Sequence, residues 1–342
     1  MSIPALCSYI RRKDMDSVLN CMVSDNLAPG EYGERLLKAI RERLGYDYTL
    51  ALRSPMAALG IALDALGLVT GDAVGLSALS DRWVARLLEQ KGLKPVWLDV
   101  DQSNAGIALS AAGEILSGAG AKALYLAEPW GIMPDPAGMA ELGVPIIEDI
   151  STSLGASFGE IKAGGLGVFA LQSLEHAAAF TGGGGALLSA SLRRDAQVLR
   201  NLSEGLVPEE LLPDMNAALA LSQLKDFEKF KERRKDIFSL YEQSLVRGHK
   251  KYLAQAGDGM GAYYACVVVL DTGIKDVRAY AKKKDVSTLM AFENSCLVAG
   301  FVPEGLCPQA ASLANRALVF PLHPRVGAMA AQKVAKVLAT LP

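Results

Sequence analysis

Two side chains near the middle of the chain, Asp149 and His176, are of types that can exchange protons with a bound molecule. Asp149 follows a predicted strand at residues 145–148, and reactive groups of parallel sheets tend to lie beyond the carboxyl ends of the strands. Residues 163–224 contain no lysine. This part of the chain therefore offers acid–base groups but no primary amine for a Schiff base.

The elements that would position these groups alternate between short apolar segments and helical patterns. Ser54 and Pro55, for example, are typical of the cap and the first turn of a helix. The alternation predicts an α/β fold with right-handed crossovers and a mostly parallel central sheet covered by helices on both faces. The predicted strands of that sheet are 48–52, 73–76, 95–98, 123–127, 145–148, 168–171 and 186–189.

The length of 342 residues favours about two domains. We predict a large domain over residues 1–215, a long inter-domain helix over 216–245, and a smaller carboxyl-terminal α/β domain over 246–342. An apolar stripe at helical spacing indicates that one continuous helix runs from residue 215 to about 245. The charged stretch within it, at 225–235, is typical of a solvated helix face.

Composition excludes several classes of protein and partner. Hydrophobic residues make up 51% of the chain and charged residues 21%, which indicates a globular protein and excludes a disordered one. The formal charge of −2 gives no electrostatic reason to expect nucleic acid or an anionic membrane as a partner. No apolar run reaches the roughly 18 residues that a transmembrane helix needs.

Cysteine and histidine usage indicates the compartment and the metal content. Five dispersed cysteines without C-x-x-C spacing are typical of reduced thiols in a cytoplasmic protein. The first residues have no apolar region long enough for a signal peptide, which favours the same location. The three histidines, His176, His249 and His323, are far apart in sequence, so no metal site is expected.

Several segments resemble, in order and spacing, the motifs of DegT/StrS-type nucleotide-sugar aminotransferases. Residues 144–156 read VPIIEDISTSLGA and residues 182–189 read GGGGALLS, similar to the cofactor loop of those proteins. The other matching segments are 53–63, 65–72, 92–101, 215–224, 232–234, 307–310 and 318–324. The resemblance covers nearly the whole chain. It implies the type I transferase fold that depends on pyridoxal phosphate (PLP), a homodimer with active sites at the subunit interface, and a sugar-nucleotide ligand.

The resemblance also implies a Schiff-base lysine just before the glycines, and this chain lacks it. Counting forward from Ser173 places that position on Ala178, and counting back from Gly185 places it on Ala177. His176 reaches the same place only with a gap of one or two residues. An imine requires an amine, so a covalent link to PLP cannot form there.

Some cofactor positions implied by the resemblance are retained. Asp149 matches the carboxylate that pairs with the pyridinium nitrogen, and an ionised partner keeps the ring an electron sink. Thr152 is close by in sequence. Ser173 matches a hydroxyl that contacts the phosphate.

Other implied positions have changed their chemistry. The family's Ser-Gly-Thr, which presents N–H groups and a hydroxyl to the phosphate, becomes Ser54, Pro55 and Met56. Proline has no N–H, and methionine has no hydroxyl. Asp81 falls where an aromatic ring stacks on the pyridine, and Trp83 follows two residues later.

The Asn and Arg that reach the phosphate of the other subunit in the family correspond to Glu209 and Leu211. A carboxylate about 4 Å from a phosphate would oppose binding by roughly 4 kcal/mol at an effective dielectric constant near 20. The substitutions therefore all weaken a site for a phosphorylated cofactor.

These changes favour a degenerate homologue that binds no cofactor and forms no Schiff base, with a role linked to nucleotide-sugar or polysaccharide biosynthesis. Its pocket would bind a sugar nucleotide, or the protein would partner an active relative. The alternative is a sugar-nucleotide dehydratase or transferase that holds PLP or pyridoxamine phosphate (PMP) non-covalently and uses His176 in place of lysine. An orthodox aminotransferase with a lysine from elsewhere, such as Lys162, is the least favoured interpretation.

Overall fold

The computed structural model describes residues 2–24, 27–176, 178–271 and 273–342. Its helices are α1 Arg12–Val23, α2 Glu31–Leu44, α3 Pro55–Ala65, α4 Arg82–Gln90, α5 Leu109–Gly118, α6 Pro136–Ala140, α7 Arg193–Ser203, α8 Asp214–Lys225, α9 Phe227–Arg247, α10 Ile274–Lys283, α11 Pro308–Arg316 and α12 Ala328–Ala339. Its strands are β1 Tyr48–Leu52, β2 Ala73–Ser77, β3 Lys94–Leu98, β4 Ala121–Ala127, β5 Ile146–Asp149, β6 Ser157–Phe158, β7 Ile161–Lys162, β8 Phe169–Ser173, β9 Ala186–Ala190, β10 Lys251–Tyr252, β11 Gly259–Met260, β12 Cys266–Val269, β13 Leu289–Met290 and β14 Ala317–Phe320.

The large sheet has the strand order β1-β9-β8-β5-β4-β2-β3. All its pairings from β8 through to β3 are parallel, and only β9 runs antiparallel to its neighbours, β8 and β1. The α/β architecture and the mostly parallel sheet agree with the prediction from the sequence. Because parallel strands end at the same edge, the sheet brings Ser77, Ala127, Asp149 and Ser173 to one side of the molecule.

A second, antiparallel sheet has the order β10-β12-β14-β13. One of its faces packs with α9 and α12 around a separate apolar cluster that includes Tyr241, Val268, Phe320 and Val334. The main core lies around the large sheet. None of the helices in the described ranges is both long and apolar enough to cross a bilayer.

The prediction of one continuous helix from residue 215 to about 245 is wrong. The chain leaves helical geometry at Asp226, which separates α8 from α9. The Asp226 carboxylate pairs with the guanidinium of Arg11 at 2.6 Å and with the ammonium of Lys13. The same guanidinium lies 4.6 Å from the ring centroid of Phe230. These contacts with the start of α1 stabilise the break, and they join residues too distant in sequence for helical spacing to reveal.

Candidate active site

A cavity of about 640 Å³ lies at the edge of the large sheet where β4, β5 and β8 end. It is lined by six of the predicted site residues: Asp81, Asp149, Thr152, Ser173, His176 and Ala178. Pro55 lines the cavity as well, whereas its neighbours Ser54 and Met56 do not. Ala177, the other predicted lysine position, lies outside the described residues.

Asp149 ends β5 and is held in place through both carboxylate oxygens. Oδ2 accepts a hydrogen bond from the phenol of Tyr125, and Oδ1 accepts bonds from the hydroxyl and, at 2.9 Å, the N–H of Ser151. Burial raises the pKa of Asp149, and the hydrogen bonds from Ser151 and Tyr125 act in the opposite direction. The result is a fixed carboxyl group that borders the cavity.

Asp81 precedes α4 and makes no capping bond to that helix. Its side chain is exposed to the cavity, yet protein atoms surround it on most sides. Burial and the negative charge of Asp149 raise the pKa of Asp81 to about 6, while a hydrogen bond with Trp83 opposes the shift. Trp83 also lines the cavity, with its ring centroid 6.2 Å from that of Tyr125 in an edge-on arrangement.

Residues 291–295, which follow β13, complete the wall beside Asp81. The N–H of Arg82 donates to the carbonyl of Asn294 at 2.9 Å, and the N–H of Cys296 donates to the carbonyl of Ser80 at 2.8 Å. The cavity is therefore assembled from parts of the chain that are far apart in sequence.

The loop that would carry the lysine is shaped by the glycines behind it. The N–H groups of Gly182 and Gly184 donate to the carbonyl of Leu174 at 2.9 and 3.1 Å. Gly185 has a φ of 103°, and a Cβ there would overlap Cδ1 of Leu212. The turn therefore requires glycine at this position, and no nucleotide-binding role is needed to explain it. The loop that the glycines shape brings His176 to the cavity lining.

A segment at residues 3–10, here called the N-terminal strap, passes over this loop. The hydroxyl of Ser8 donates to the backbone carbonyl of His176, and Leu6 lines the cavity. Nearer the start of the strap, Nε2 of His323 donates to the carbonyl of Pro4 at 3.0 Å. Sequence reasoning missed the strap because 168 residues separate Ser8 from His176.

The start of α3 offers little to an anion. Ser54 caps the helix as predicted, and its Oγ accepts from the N–H of Ala57 at 3.1 Å. The hydroxyl oxygen and that N–H therefore satisfy each other. Pro55 borders the cavity without an N–H to donate, and Met56 packs against the main core.

The remaining predicted positions lie away from this cavity. Glu209 is exposed in a 3₁₀ turn at Pro208–Glu210, and Leu211 forms an isolated β-bridge with Leu52. Lys162 is exposed in β7. Within the part of the chain that the structure describes, the cavity lining includes none of these three residues.

Glu128, which the sequence did not single out, is a buried carboxyl group in the cavity wall. Burial, followed by the charge of Glu148, raises its pKa well above the usual range. Glu148 accepts N–H bonds from Gly164, Leu166 and Gly167 at 2.6, 2.8 and 2.9 Å, which stabilises its ionised form. Burial raises the pKa of Glu148 as well, but these three bonds oppose that shift, so Glu128 is the member of the pair that holds a proton more readily.

The lining is unusually acidic for a site that would hold a phosphate. Its carboxyl side chains are Asp81, Glu128, Asp149, Glu175 and Glu293. Across the described residues, neither lysine nor arginine contributes to the lining. The same residues contain no group of His, Cys, Asp and Glu side chains arranged to hold a metal ion.

Comparison with known proteins identifies the relationship. Residues 8–339 match the DegT/DnrJ/EryC1/StrS aminotransferase family. The chain belongs to this family. Family membership agrees with the resemblance inferred from the motifs and extends over nearly the full length.

Solved structures of two aminotransferases and of a sugar-nucleotide dehydratase share the fold. The aminotransferase TlmJ from Streptoalloteichus hindustanus is 22% identical, with 98% of each chain covered and a TM-score of 0.89. Spr1654 from Streptococcus pneumoniae in its PLP-form is 16% identical, with 100% of this chain and 98% of that chain covered and a TM-score of 0.92. A histidine-to-asparagine mutant of GDP-4-keto-6-deoxymannose-3-dehydratase with bound GDP-perosamine is 16% identical, with coverage of 98% and 100% and a TM-score of 0.86.

The expectation that no cofactor binds is contradicted by these findings. The family is one of aminotransferases, and Spr1654 has been solved in both a PMP-form and a PLP-form. Membership and fold therefore point to PLP or PMP rather than to an absence of cofactor. The inference from lost contacts failed because it treated weakened phosphate contacts as equivalent to exclusion of the whole molecule.

The cavity residues fit the ring end of such a cofactor. Asp149 is fixed where a carboxylate can pair with a pyridine nitrogen, and Trp83 and Tyr125 provide an aromatic wall. The Ser173 hydroxyl oxygen accepts the N–H of Glu175 at 3.1 Å, which leaves its own hydrogen to donate into the cavity. The fit is to a molecule held without a covalent bond, because the described lining contains no amine.

Proposed function

We propose that the protein acts on a sugar nucleotide with PMP held non-covalently, and that it does not transaminate through a lysine-bound cofactor. The observation that carries the proposal is the pairing of two features in one cavity. Asp149 is fixed at the strand end, while the lysine position is taken by a loop that presents His176 and Ala178. The similarity in fold to a sugar-nucleotide dehydratase supports the same assignment.

The roles of the chain's own residues follow from their positions. When bound, PMP supplies an amino group and an electron-accepting ring. Asp149 would pair with the ring nitrogen, oriented by Tyr125 and Ser151. His176, whose imidazole borders the cavity, would exchange a proton with the sugar. The hydrogen bond from the Ser8 hydroxyl in the N-terminal strap would position the backbone of His176.

Turnover tests this proposal with a matched pair of histidine variants. The protein would be incubated with PMP and GDP-4-keto-6-deoxymannose, and the sugar nucleotide followed by mass spectrometry. We expect loss of water from the sugar by the wild type, retention of that activity in His249→Asn, and loss in His176→Asn. His249 is an exposed residue outside the cavity lining, so its variant controls for nonspecific effects. Equal activity in the two variants would contradict the role of His176.

A separate experiment tests whether PLP forms a covalent bond with a lysine of this protein. After incubation with PLP and reduction with borohydride, intact-protein and peptide mass spectrometry should find no stoichiometric adduct on any lysine. A stoichiometric adduct at one lysine would restore the orthodox aminotransferase interpretation. Equilibrium dialysis against PMP should show binding, and failure to bind at high micromolar PMP would end the proposal.

A second candidate is a degenerate homologue that binds a sugar nucleotide or partners an active relative without turnover. The acidic lining and the self-satisfied cap of α3 favour it, because both weaken a phosphate site. Binding of a sugar nucleotide with no chemical change in the presence of PMP or PLP would support this candidate over the first.

We further propose a homodimer in the cytoplasm, without nucleic acid or a membrane as partner, in nucleotide-sugar or polysaccharide biosynthesis. Family membership supports the dimer and the biosynthetic role. Multi-angle light scattering at micromolar concentration tests the assembly, and a monomer would count against it.

A further inference from the structure

The charge of the main cavity is not what a site for anionic groups requires. Its lining carries four carboxyl side chains besides Glu128, whose raised pKa favours its neutral form, and among the described residues no lysine or arginine side chain offsets them there. Two buried cations on α9 donate to backbone carbonyls instead. Lys231 donates to the carbonyl of Gly155, and Arg234 donates to that of Ala179 at 3.3 Å.

Aromatic rings make up much of the remaining wall. Trp130 packs against Tyr264 and Phe292 with both centroid distances at 6.1 Å, and all three line the cavity. Trp83 and Tyr125 form a second ring pair in the lining. Aromatic faces attract cations, and the attraction strengthens when water is excluded. The wall therefore combines two kinds of group that favour positive charge.

A buried polar atom in the wall also lacks a hydrogen-bond partner within the described residues. Ser80 is only 2% exposed and lines the cavity, and its hydroxyl has no hydrogen-bond partner within the described part of the chain. Buried polar groups are normally paired, so an unpaired hydroxyl on a residue that lines a cavity indicates a site for a polar group of a bound molecule. Ser80 directly precedes Asp81 in the sequence, and both residues line the cavity.

We propose that this cavity binds an organic ammonium ion, with Asp81 meeting the ammonium group and the tryptophan and tyrosine rings packing on its apolar body. The inference rests on the proposed function only in locating the ligand site, and it does not require PMP. The ammonium group can belong to the substrate or to the amine of PMP, and the experiment below separates these sources.

Titration of Asp81 supports the inference. Burial and the charge of Asp149 raise the pKa of Asp81 to about 6. Five other groups interact electrostatically with the Asp81 carboxyl. Arg82 and Trp83 belong to α4, which Asp81 precedes, and Tyr125, Tyr264 and Cys296 approach from other elements. The phenols and the thiol stay neutral near pH 7, because burial raises the pKa of Tyr125 well above its usual range and the pKa of Tyr264 and of Cys296 to about 12. Affinity for a cation should therefore fall as the pH drops through 6 and Asp81 gains its proton.

A matched pair of probes tests charge recognition directly. Benzylamine is a cation at pH 7.5, and benzyl alcohol is its neutral counterpart of nearly the same shape. Calorimetric titration should give an affinity for benzylamine about tenfold or more above that for benzyl alcohol, as for a hydrogen bond to a charged group. Tryptophan fluorescence supplies a second readout, since two of the three tryptophans, Trp83 and Trp130, line the cavity. A Trp97→Phe background removes the third.

Two substitutions locate the site. Asp81→Asn preserves shape and removes the charge, and it should reduce benzylamine affinity about tenfold while leaving benzyl alcohol unchanged. Glu160→Gln, at an exposed position outside the cavity lining, should change neither. Equal affinity for the two probes in the wild type would overturn the inference, whatever the variants do.

Pyridoxamine and PMP then separate the inference from the proposed function. Binding of benzylamine and pyridoxamine without binding of PMP would support the ammonium site and contradict the use of PMP. Binding of PMP more than about tenfold tighter than pyridoxamine, together with equal affinity for benzylamine and benzyl alcohol, would show recognition of the phosphate without recognition of the ammonium group, which overturns the inference and supports the proposed function. Comparable binding of PMP and pyridoxamine supports both.

Discussion

Tyr125 and Asp149, on the neighbouring strands β4 and β5, are joined by a hydrogen bond from the phenol to the carboxylate at the edge of the cavity. Tyr125 is almost fully buried, so its hydroxyl has few alternatives to this acceptor. The bond lowers the pKa of Asp149 against the effect of burial and fixes the direction of the carboxylate. The site's central acid is therefore positioned by a residue of the sheet itself.

Tyr125→Phe should destabilise the protein by about 1–3 kcal/mol, because a partly buried carboxylate loses a hydrogen bond. The pKa of Asp149 should rise further, since the lost bond favoured the ionised form. Urea unfolding at pH 7 measures the first effect. Tyr280→Phe is the control: its hydroxyl bonds to Thr340 at the surface, 2.7 Å away, so its change should stay within about 0.5 kcal/mol.

Gly185→Ala should cost about 3 kcal/mol or more, because a Cβ there would overlap Leu212 and lie 3.0 Å from the carbonyl oxygen of Leu52. Gly67→Ala separates this clash from backbone strain. Gly67 has a φ of 72° and nothing within 4 Å of its added Cβ, so only the left-handed conformation, at about 1–2 kcal/mol, should count. Similar unfolding free energies for the two variants would mean that the loop relaxes around the new methyl group.

The Glu128–Glu148 pair predicts a pH dependence of stability with a definite sign. Burial raises the pKa of Glu128 well above its model-peptide value of 4.5, so the folded state retains a proton that the unfolded chain releases. Stability should therefore fall as the pH rises from about 4.5 upward, by at most about 1.4 kcal/mol per pH unit for one proton. Glu128→Gln should flatten this slope and raise stability at pH 8 relative to the wild type.

Glu148→Gln serves as the contrast. The glutamate accepts three N–H bonds from the loop before β8, and an amide with a single oxygen cannot accept them all. This variant should lose about 1–3 kcal/mol at pH 7. If instead Glu148→Gln were neutral and Glu128→Gln destabilising, the assignment of the proton to Glu128 would be reversed.

Asp226→Ala should destabilise the protein by about 1 kcal/mol at low salt, because Arg11 and Lys13 lose their shared partner. Its effect should shrink at 1 M salt, where exposed charges are screened over about 3 Å. Asp271→Ala, which removes an ion pair with Lys251 at the surface, should have a smaller effect at both salt concentrations. Guanidinium would itself screen the charges, so urea is the denaturant to use.

Much of the fold could be predicted from the sequence because its signals are local. The strand Tyr48–Leu52, the Ser54 cap and the strand-end position of Asp149 depend on neighbours within a few residues. The break at Asp226, the N-terminal strap and the burial of Glu128 depend instead on partners far away in the chain. No pattern of spacing records such contacts. The cofactor expectation failed for a related reason, since lost contacts were counted one residue at a time.

Residues 291–295 form their part of the cavity wall, and backbone bonds from Arg82 to Asn294 and from Cys296 to Ser80 hold this segment in place. A nascent chain has no such wall until these late residues have left the ribosome. No small molecule can therefore template the folding of the earlier sheet during synthesis by occupying a finished pocket. Contacts between a ligand and this late wall are therefore made only when translation is nearly complete.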